Sequence, residues 1–139
     1  MEDLKSMVFV ASDLLAIWTI IQEARNQPIE GMIAVGEVIR TRTENKIQSD
    51  GTVESTILKP FQFSGWNTLD PNRIDAFRVP PEILTKATYA WNHSYIYKNK
   101  YSLGATHYYN PKIVVKTPDW ALKGIKLTTI GDHDFYKVE

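Results

Sequence analysis

Cysteine is absent from the 139 residues. That excludes a disulfide framework, a thiolate metal site and a cysteine nucleophile, so the fold must stand on its core alone in any redox compartment. An excess of charge of either sign is also missing: 16 basic residues balance 16 acidic ones. No basic field exists to hold nucleic acid non-specifically, and attraction to an anionic wall or membrane surface is not built in. Long apolar runs are lacking as well. The N-terminal stretch MEDLKSMVFVASDLLAIWTII is interrupted by Asp13, carries Glu2 and Asp3 beside Lys5, and is followed by no small-residue cleavage site. It reads neither as a signal peptide nor as a membrane span. With no repeat, low-complexity tract or linker, residues 1–139 read as one domain, expected to be monomeric.

What is present is the composition of a globular domain, with 43% hydrophobic and 23% charged residues. A chain of this length buries roughly 70% of its unfolded surface, so it needs no staples. Four Trp, seven Tyr and five Phe suit either a well-packed core or ring-lined binding surfaces. Helical periodicity predicts a first helix over about 12–25, capped by Ser12 or Asp13, with Leu14, Ile17, Trp18 and Ile21 facing the core. A second helix should start at Pro28, a favoured first position, with Ile29, Met32, Ile33, Val35 and Ile39 as its apolar side. Gly31, Ala34 and Gly36 inside it predict close packing against another element. A short helix over 52–58, an aromatic and amide-rich loop over 61–73 and a helix over about 81–96 with Ile83, Leu84, Ala87, Ala90 and Trp91 inward follow. After Gly104 the segment 105–115 alternates like a strand, and 126–138 reads as two strands around the turn at Gly131 and Asp132. Helices first and a small sheet last make an α+β domain.

Three groups of residues carry candidate chemistry. Glu23 has Ala16, Thr19 and Ile20 as helix neighbours. A carboxyl in such surroundings tends to keep its proton, as a general acid acting on a glycosidic oxygen must. The bland alternative is a helix-end glutamate paired with Arg25 or another cation. Glu30 falls in a first helical turn, where the dipole favours it. Glu37 lies on the same face and either pairs with Arg40 or Arg42 or serves as a second carboxylate. In the loop, Gln62, Phe63, Ser64 and Trp66 combine rings, an amide and a hydroxyl, the means by which proteins hold sugars, though rings there can equally plug a core edge. Near the C-terminus stand Thr106, His107, Tyr108 and Tyr109, then Asp132, His133 and Asp134. Metal-ligand spacings are absent from these clusters, and no Gly-x-Ser-x-Gly elbow supports a serine triad through Ser64.

In their order, several segments resemble the spore-cortex-lytic (SleB-like) family of bacterial cell-wall hydrolases, which also occurs in phages. The likeness begins at Glu23-Ala24-Arg25-Asn26-Gln27-Pro28-Ile29-Glu30-Gly31 and continues through Ala34-Val35, Val38-Ile39 and Arg42. It resumes at Gln62-Phe63-Ser64-Gly65-Trp66. It closes with Ala105-Thr106-His107-Tyr108, Pro118-Asp119-Trp120-Ala121 and Ile130-Gly131-Asp132-His133-Asp134-Phe135-Tyr136. The resemblance implies a lysozyme-like fold and cleavage of peptidoglycan between N-acetylmuramic acid and N-acetylglucosamine. It implies lytic transglycosylation with Glu23 as the acid and base, and no metal or organic cofactor. Gln62, Phe63, Ser64, Thr106, Tyr108 and His133, with His107, would then position the sugars, and Trp66, Tyr109 and Trp120 would be ring platforms or core.

The chain departs from the family where a second glutamate is usual, at Gln27. It departs also at Asn26, in place of a glycine, and at Thr41, in place of an asparagine. Lysozyme-type hydrolysis with Glu37 as second carboxylate, and a non-catalytic wall-binding or virion component, are the rival expectations. In a phage setting the protein would reach the wall from the host cytoplasm by holin-type release, or be carried by the virion.

Overall fold

A computed structural model describes residues 4–59, 63 and 78–139, with side chains from residue 11 onward. The expected loop over 61–73, with Gln62, Ser64 and Trp66, lies outside the described residues apart from Phe63.

The first helix, α1 (Leu4–Ala24), begins earlier than periodicity predicts. Ser12 and Asp13 do not cap it; the Asp13 carboxylate instead accepts a bond of 2.9 Å from the indole Nε1 of the buried Trp91. Its core stripe is Ala16, Ile17, Ile20, Ile21 and Ala24, a three-and-four spacing. Leu14 falls off that stripe and is about half exposed. The chain turns at Arg25–Gln27 and re-enters helix as α2 (Ile29–Glu44), for which Pro28 is the N-cap. The residue before a proline is steered away from helical dihedrals, which is why the two helices cannot run on as one.

α2 is the centre of the molecule. Met32, Ile33, Ala34, Val35, Val38 and Ile39 are buried, and so are Gly31, Gly36, Glu37 and Arg42 on its other sides. A helix apolar or small nearly all round must be packed all round. Gly36 shows how: a Cβ there would meet the Ser94 Oγ at 2.9 Å and the Ser94 Cβ at 3.0 Å. The small residues therefore bring α2 against α4 (Pro81–Tyr97), as the sequence predicts. On α4, Ala87, Ala90 and Trp91 are buried, whereas Leu84 is exposed. The short α3 (Val53–Leu58) is capped by Thr52, which accepts from the Ser55 amide at 3.2 Å, and seats Ile57 in the core.

The sheet comes last and has three antiparallel strands in the order β1-β3-β2. β1 (His107–Tyr109) is short, because the expected strand does not continue past Tyr109. Residues 111–113 form a turn and 114–115 are irregular, with Ile113 and Val115 exposed. A helical turn absent from the sequence reading, α5 (Asp119–Lys123), precedes β2 (Ile125–Ile130) and β3 (His133–Lys137). Tyr108 lies opposite Phe135 and His107 opposite Tyr136. Phe135 is fully buried in the helical core and anchors the sheet. The result is an α+β, lysozyme-like arrangement of helices with a small sheet at one end. No helix among the described residues is long and apolar enough to cross a membrane.

Gly131, in the β2–β3 turn, has φ +57°, and a Cβ there would run into the Gln27 Oε1 and lie 2.9 Å from the Pro28 Cδ. Gly131→Ala is therefore expected to lose about 1–3 kcal/mol, read as a lower urea midpoint. An unchanged midpoint would show that the turn does not need a left-handed glycine.

Candidate active site

Glu23 sits in the last turn of α1, half-buried, beside the buried Ala16, Thr19 and Ile20. The apolar neighbourhood read from the sequence is therefore present. What the sequence could not supply is the far side. The Tyr108 hydroxyl, on β1, donates to the Glu23 Oε1 at 2.6 Å across 85 residues of chain. Burial and the Glu23 charge push the Tyr108 phenol well above its usual range, so it stays a donor throughout the working pH. Behind it lies Arg42, whose Nε donates to the Thr106 carbonyl at 2.6 Å and whose guanidinium interacts electrostatically with both Tyr108 and Glu23. A carboxylate at a helix C-terminus is disfavoured by the dipole. Tyr108 and Arg42 oppose that and stabilise the anion. The apolar surroundings expected from the sequence are thus joined by two groups from other elements, Tyr108 on β1 and Arg42 on α2, that favour the carboxylate.

Glu23 and Tyr108 line a groove of about 500 Å³. One stretch of its wall is the end of α1 and the corner after it, Gln22, Glu23, Arg25, Asn26 and Gln27; the rest is Tyr108, Tyr109, Asn110, Ile113, Asp132 and His133. Of the expected sugar-contacting residues, Tyr108, Tyr109 and His133 are in it. Phe63 is not a ring platform: it is a core residue, with the Arg42 guanidinium 5.6 Å from its ring. Trp120 packs in a ring cluster with His107 (4.9 Å), Tyr109 (5.5 Å) and Tyr136 (5.5 Å), and is not among the groove residues. Thr106 works from behind. Its hydroxyl accepts from the Val138 amide at 3.0 Å and lies 2.9 Å from the His107 Nδ1. His107 is pushed down to about 4, by burial first and by the Arg42 charge second, so it is neutral at ordinary pH.

Glu37 is not brought to Glu23. It is 1% exposed, and its Oε1 accepts the backbone amides of Tyr101 (3.2 Å) and Ser102 (2.8 Å), pinning the segment after α4. The second carboxylate in the groove is instead Asp132, which the sequence placed in a turn and in a cluster with His133 and Asp134 but not as a partner of Glu23. Both of its oxygens are engaged. Oδ1 meets the Lys112 Nζ at 2.7 Å, Oδ2 accepts from the Gln27 Nε2 at 3.1 Å, and these donors hold the carboxyl below its usual range. Gln27 Oε1 in turn accepts the Asp132 amide at 2.8 Å. Gln22 and Arg42 also escaped a reading by spacing. The only signal for Gln22 is a polar residue breaking the apolar run Ile20-Ile21. Among the described residues no group of three or more His, Asp or Glu is placed to hold a metal.

Residues 26–136 match the family model described as cell wall hydrolase. Two solved structures share the fold. The catalytic domain of the germination-specific lytic transglycosylase SleB from Bacillus anthracis superposes with a TM-score of 0.71 at 23% identity, over 91% of this chain and 93% of that one. The catalytic domain of the SleB protein of Bacillus cereus gives 0.66 at 22% identity, over 91% of each chain. A search of curated protein sequences gave no match.

Gln27 and Asp132 are a matched pair, since the amide supplies a donor that a glutamate lacks. Gln27→Glu would set two carboxylates face to face and should lower the urea midpoint at pH 7. Acidification, or the added change Asp132→Asn, should restore it. If the single variant is as stable as the parent at pH 7, the pairing does not fasten the turn.

Proposed function

The chain belongs to the cell wall hydrolase family, and from that premise we propose that it cuts peptidoglycan glycan strands by lytic transglycosylation, with Glu23 as both acid and base. Family membership supports a peptidoglycan-cleaving glycosidase. The related fold of a protein described as a lytic transglycosylase supports the finer reading. The observation that carries it is the Tyr108–Glu23 hydrogen bond at the wall of the groove, with Arg42 behind it.

The chemistry needs one group that is acid first and base second. Protonated Glu23 donates to the glycosidic oxygen as the C1–O bond breaks. The bond pair leaves with that oxygen, and the muramic acid C1 gains oxocarbenium character. Glu23 is then an anion. Tyr108, still a phenol, donates to it, and the Arg42 guanidinium stabilises its charge. The carboxylate next takes the proton of the muramic acid 6-OH while O6 bonds to C1. A 1,6-anhydro ring forms, Glu23 is again protonated, and no water is consumed. Groups that hold the anion gently suit a residue that must gain and lose one proton per turnover.

Hydrolysis would require a second carboxylate to activate water. Asp132 is the one the groove offers, and its oxygens are already held by Lys112 and Gln27. The single-residue cycle therefore accounts better for the arrangement.

Mass analysis of muropeptides released from purified wall is expected to find 1,6-anhydromuramic ends, and Glu23→Gln should release about 10²–10⁴-fold less. Reducing muramic ends would mean hydrolysis; full activity in Glu23→Gln would remove this residue from the mechanism. Tyr108→Phe deletes a bond that only the anion accepts strongly, so Glu23 keeps its proton to higher pH. The alkaline limb of the kcat/KM profile should move upward, and a limb that stays in place or moves down would contradict the role given to Tyr108.

A further inference from the structure

Gln22 is an expensive residue for its position. It lies on α1 directly before Glu23, is 6% exposed, and neither its amide nitrogen nor its amide oxygen has a hydrogen-bond partner among the described residues. A buried amide with nothing to bond loses its hydration without recompense, so native proteins rarely leave both ends of one unmatched. An apolar residue of the same length, such as methionine, would cost less beside the core residues Ile20 and Ile21. Glu37, a buried polar side chain of α2, does find partners for one of its oxygens. Gln22, however, lines the groove that Glu23 lines. From β3, His133 lines the same groove with its Nδ1 also buried and unpartnered. Such orphans cluster where a ligand completes them.

We propose that the Gln22 side-chain amide binds the N-acetyl group of the glycan, making Gln22 a specificity-determining residue for 2-acetamido sugars. The inference rests on the glycan-cleaving reading above. It adds which substituent of the sugar is recognised, and by what.

The chemistry of the match is two-sided. A primary amide presents donors on nitrogen and an acceptor on oxygen in one plane. The secondary amide of an N-acetyl group presents one donor and one acceptor, also in one plane, so a single ligand group answers both ends of Gln22. A lone hydroxyl answers one end at a time. The deacetylated sugar offers an ammonium, which donates only. It would leave the Gln22 nitrogen unmatched and bring a cation into a groove already backed by Arg42. Sites built to hydrogen-bond a group reject the analogue that lacks it, because the buried partners are then left unpaired.

The test uses binding, which is separable from turnover. In the Glu23→Gln background, calorimetry compares the N-acetylglucosamine tetramer with its N-deacetylated form, with and without Gln22→Met. With Gln22 present, the acetylated tetramer should bind about tenfold or more tightly than the deacetylated one. Gln22→Met should remove that preference by weakening only the acetylated ligand. Its thermal midpoint should equal or exceed that of the parent, because an unmatched buried amide has gone. A purely structural Gln22 would move the midpoint down and leave the preference intact, and that result overturns the proposal. Should Gln22→Met melt early, Gln22→Asn keeps the amide but withdraws it by one methylene, and it must lower the preference as well. If the wild type cleaves wall and the Gln22 variants keep the preference, this inference alone fails. If the wild type neither binds the tetramer nor releases muropeptides, the glycosidase reading fails with it.

Discussion

Three strands this short hold together in water only with an apolar face to bury, and the whole site depends on how this sheet is fastened to the helices. Phe135 supplies the apolar anchor in the helical core. Around it run polar ties, each between residues far apart in the chain. Arg42 on α2 holds the Thr106 carbonyl at the start of β1. Gln27, at the α1–α2 corner, grips Asp132 in the β2–β3 turn through both ends of its amide. Tyr108 reaches from β1 to Glu23 on α1. Anything that loosens the sheet therefore also releases Glu23, the proposed acid and base, from Tyr108.

The same ties set the charge balance. Burying Arg42 costs solvation, and desolvation indeed lowers its affinity for a proton, with Tyr108 and Glu23 acting in the opposite sense. A guanidinium does not lose its charge under ordinary conditions, so that cost sustains a fixed positive potential beneath the groove. Together with burial, which is the larger cause, it keeps His107 neutral, and it gives Glu23 a counter-charge when it is anionic. Gln22 and His133 extend this logic to the groove, where the Gln22 amide and the His133 Nδ1 are buried without a hydrogen-bond partner among the described residues. Stability is given up where a ligand is to be met.

Gln27 shows how a departure from a family pattern can be absorbed. As a change from an expected glutamate it looked like the loss of a second carboxylate. In three dimensions its amide nitrogen donates to a carboxylate 105 residues away, which a glutamate could not do at neutral pH. Its other contact, to the Asp132 amide, explains why Gly131 beside it can have no Cβ. The change belongs to the turn that carries His133 into the groove, and the proposed single-residue mechanism does not call on a second glutamate.

The α+β class, the helix around Trp91, the close-packed glycine Gly36 and the reversal at Gly131 were legible in the sequence, because they follow from local periodicity and backbone preference. So was the apolar neighbourhood of Glu23, whose neighbours are its own helical turns. Leu14 and Leu84 were misplaced, since periodicity names a stripe but not its angle to the core. Residues 111–115 looked like strand and are not, because β-branched residues make a strand only where a partner strand is available. Phe63 could be core or platform, and only packing against Arg42 decided it. Glu37 and Asp132 exchanged roles for the same reason: the partner of a carboxylate lies wherever the fold brings a donor. The sequence by itself determined the elements and singled out Glu23 as the proposed acid; the tertiary structure alone decided what surrounds that residue, because Tyr108, Asp132 and His133 reach it or its groove only through contacts that span most of the chain, and Arg42 reaches it from a different helix.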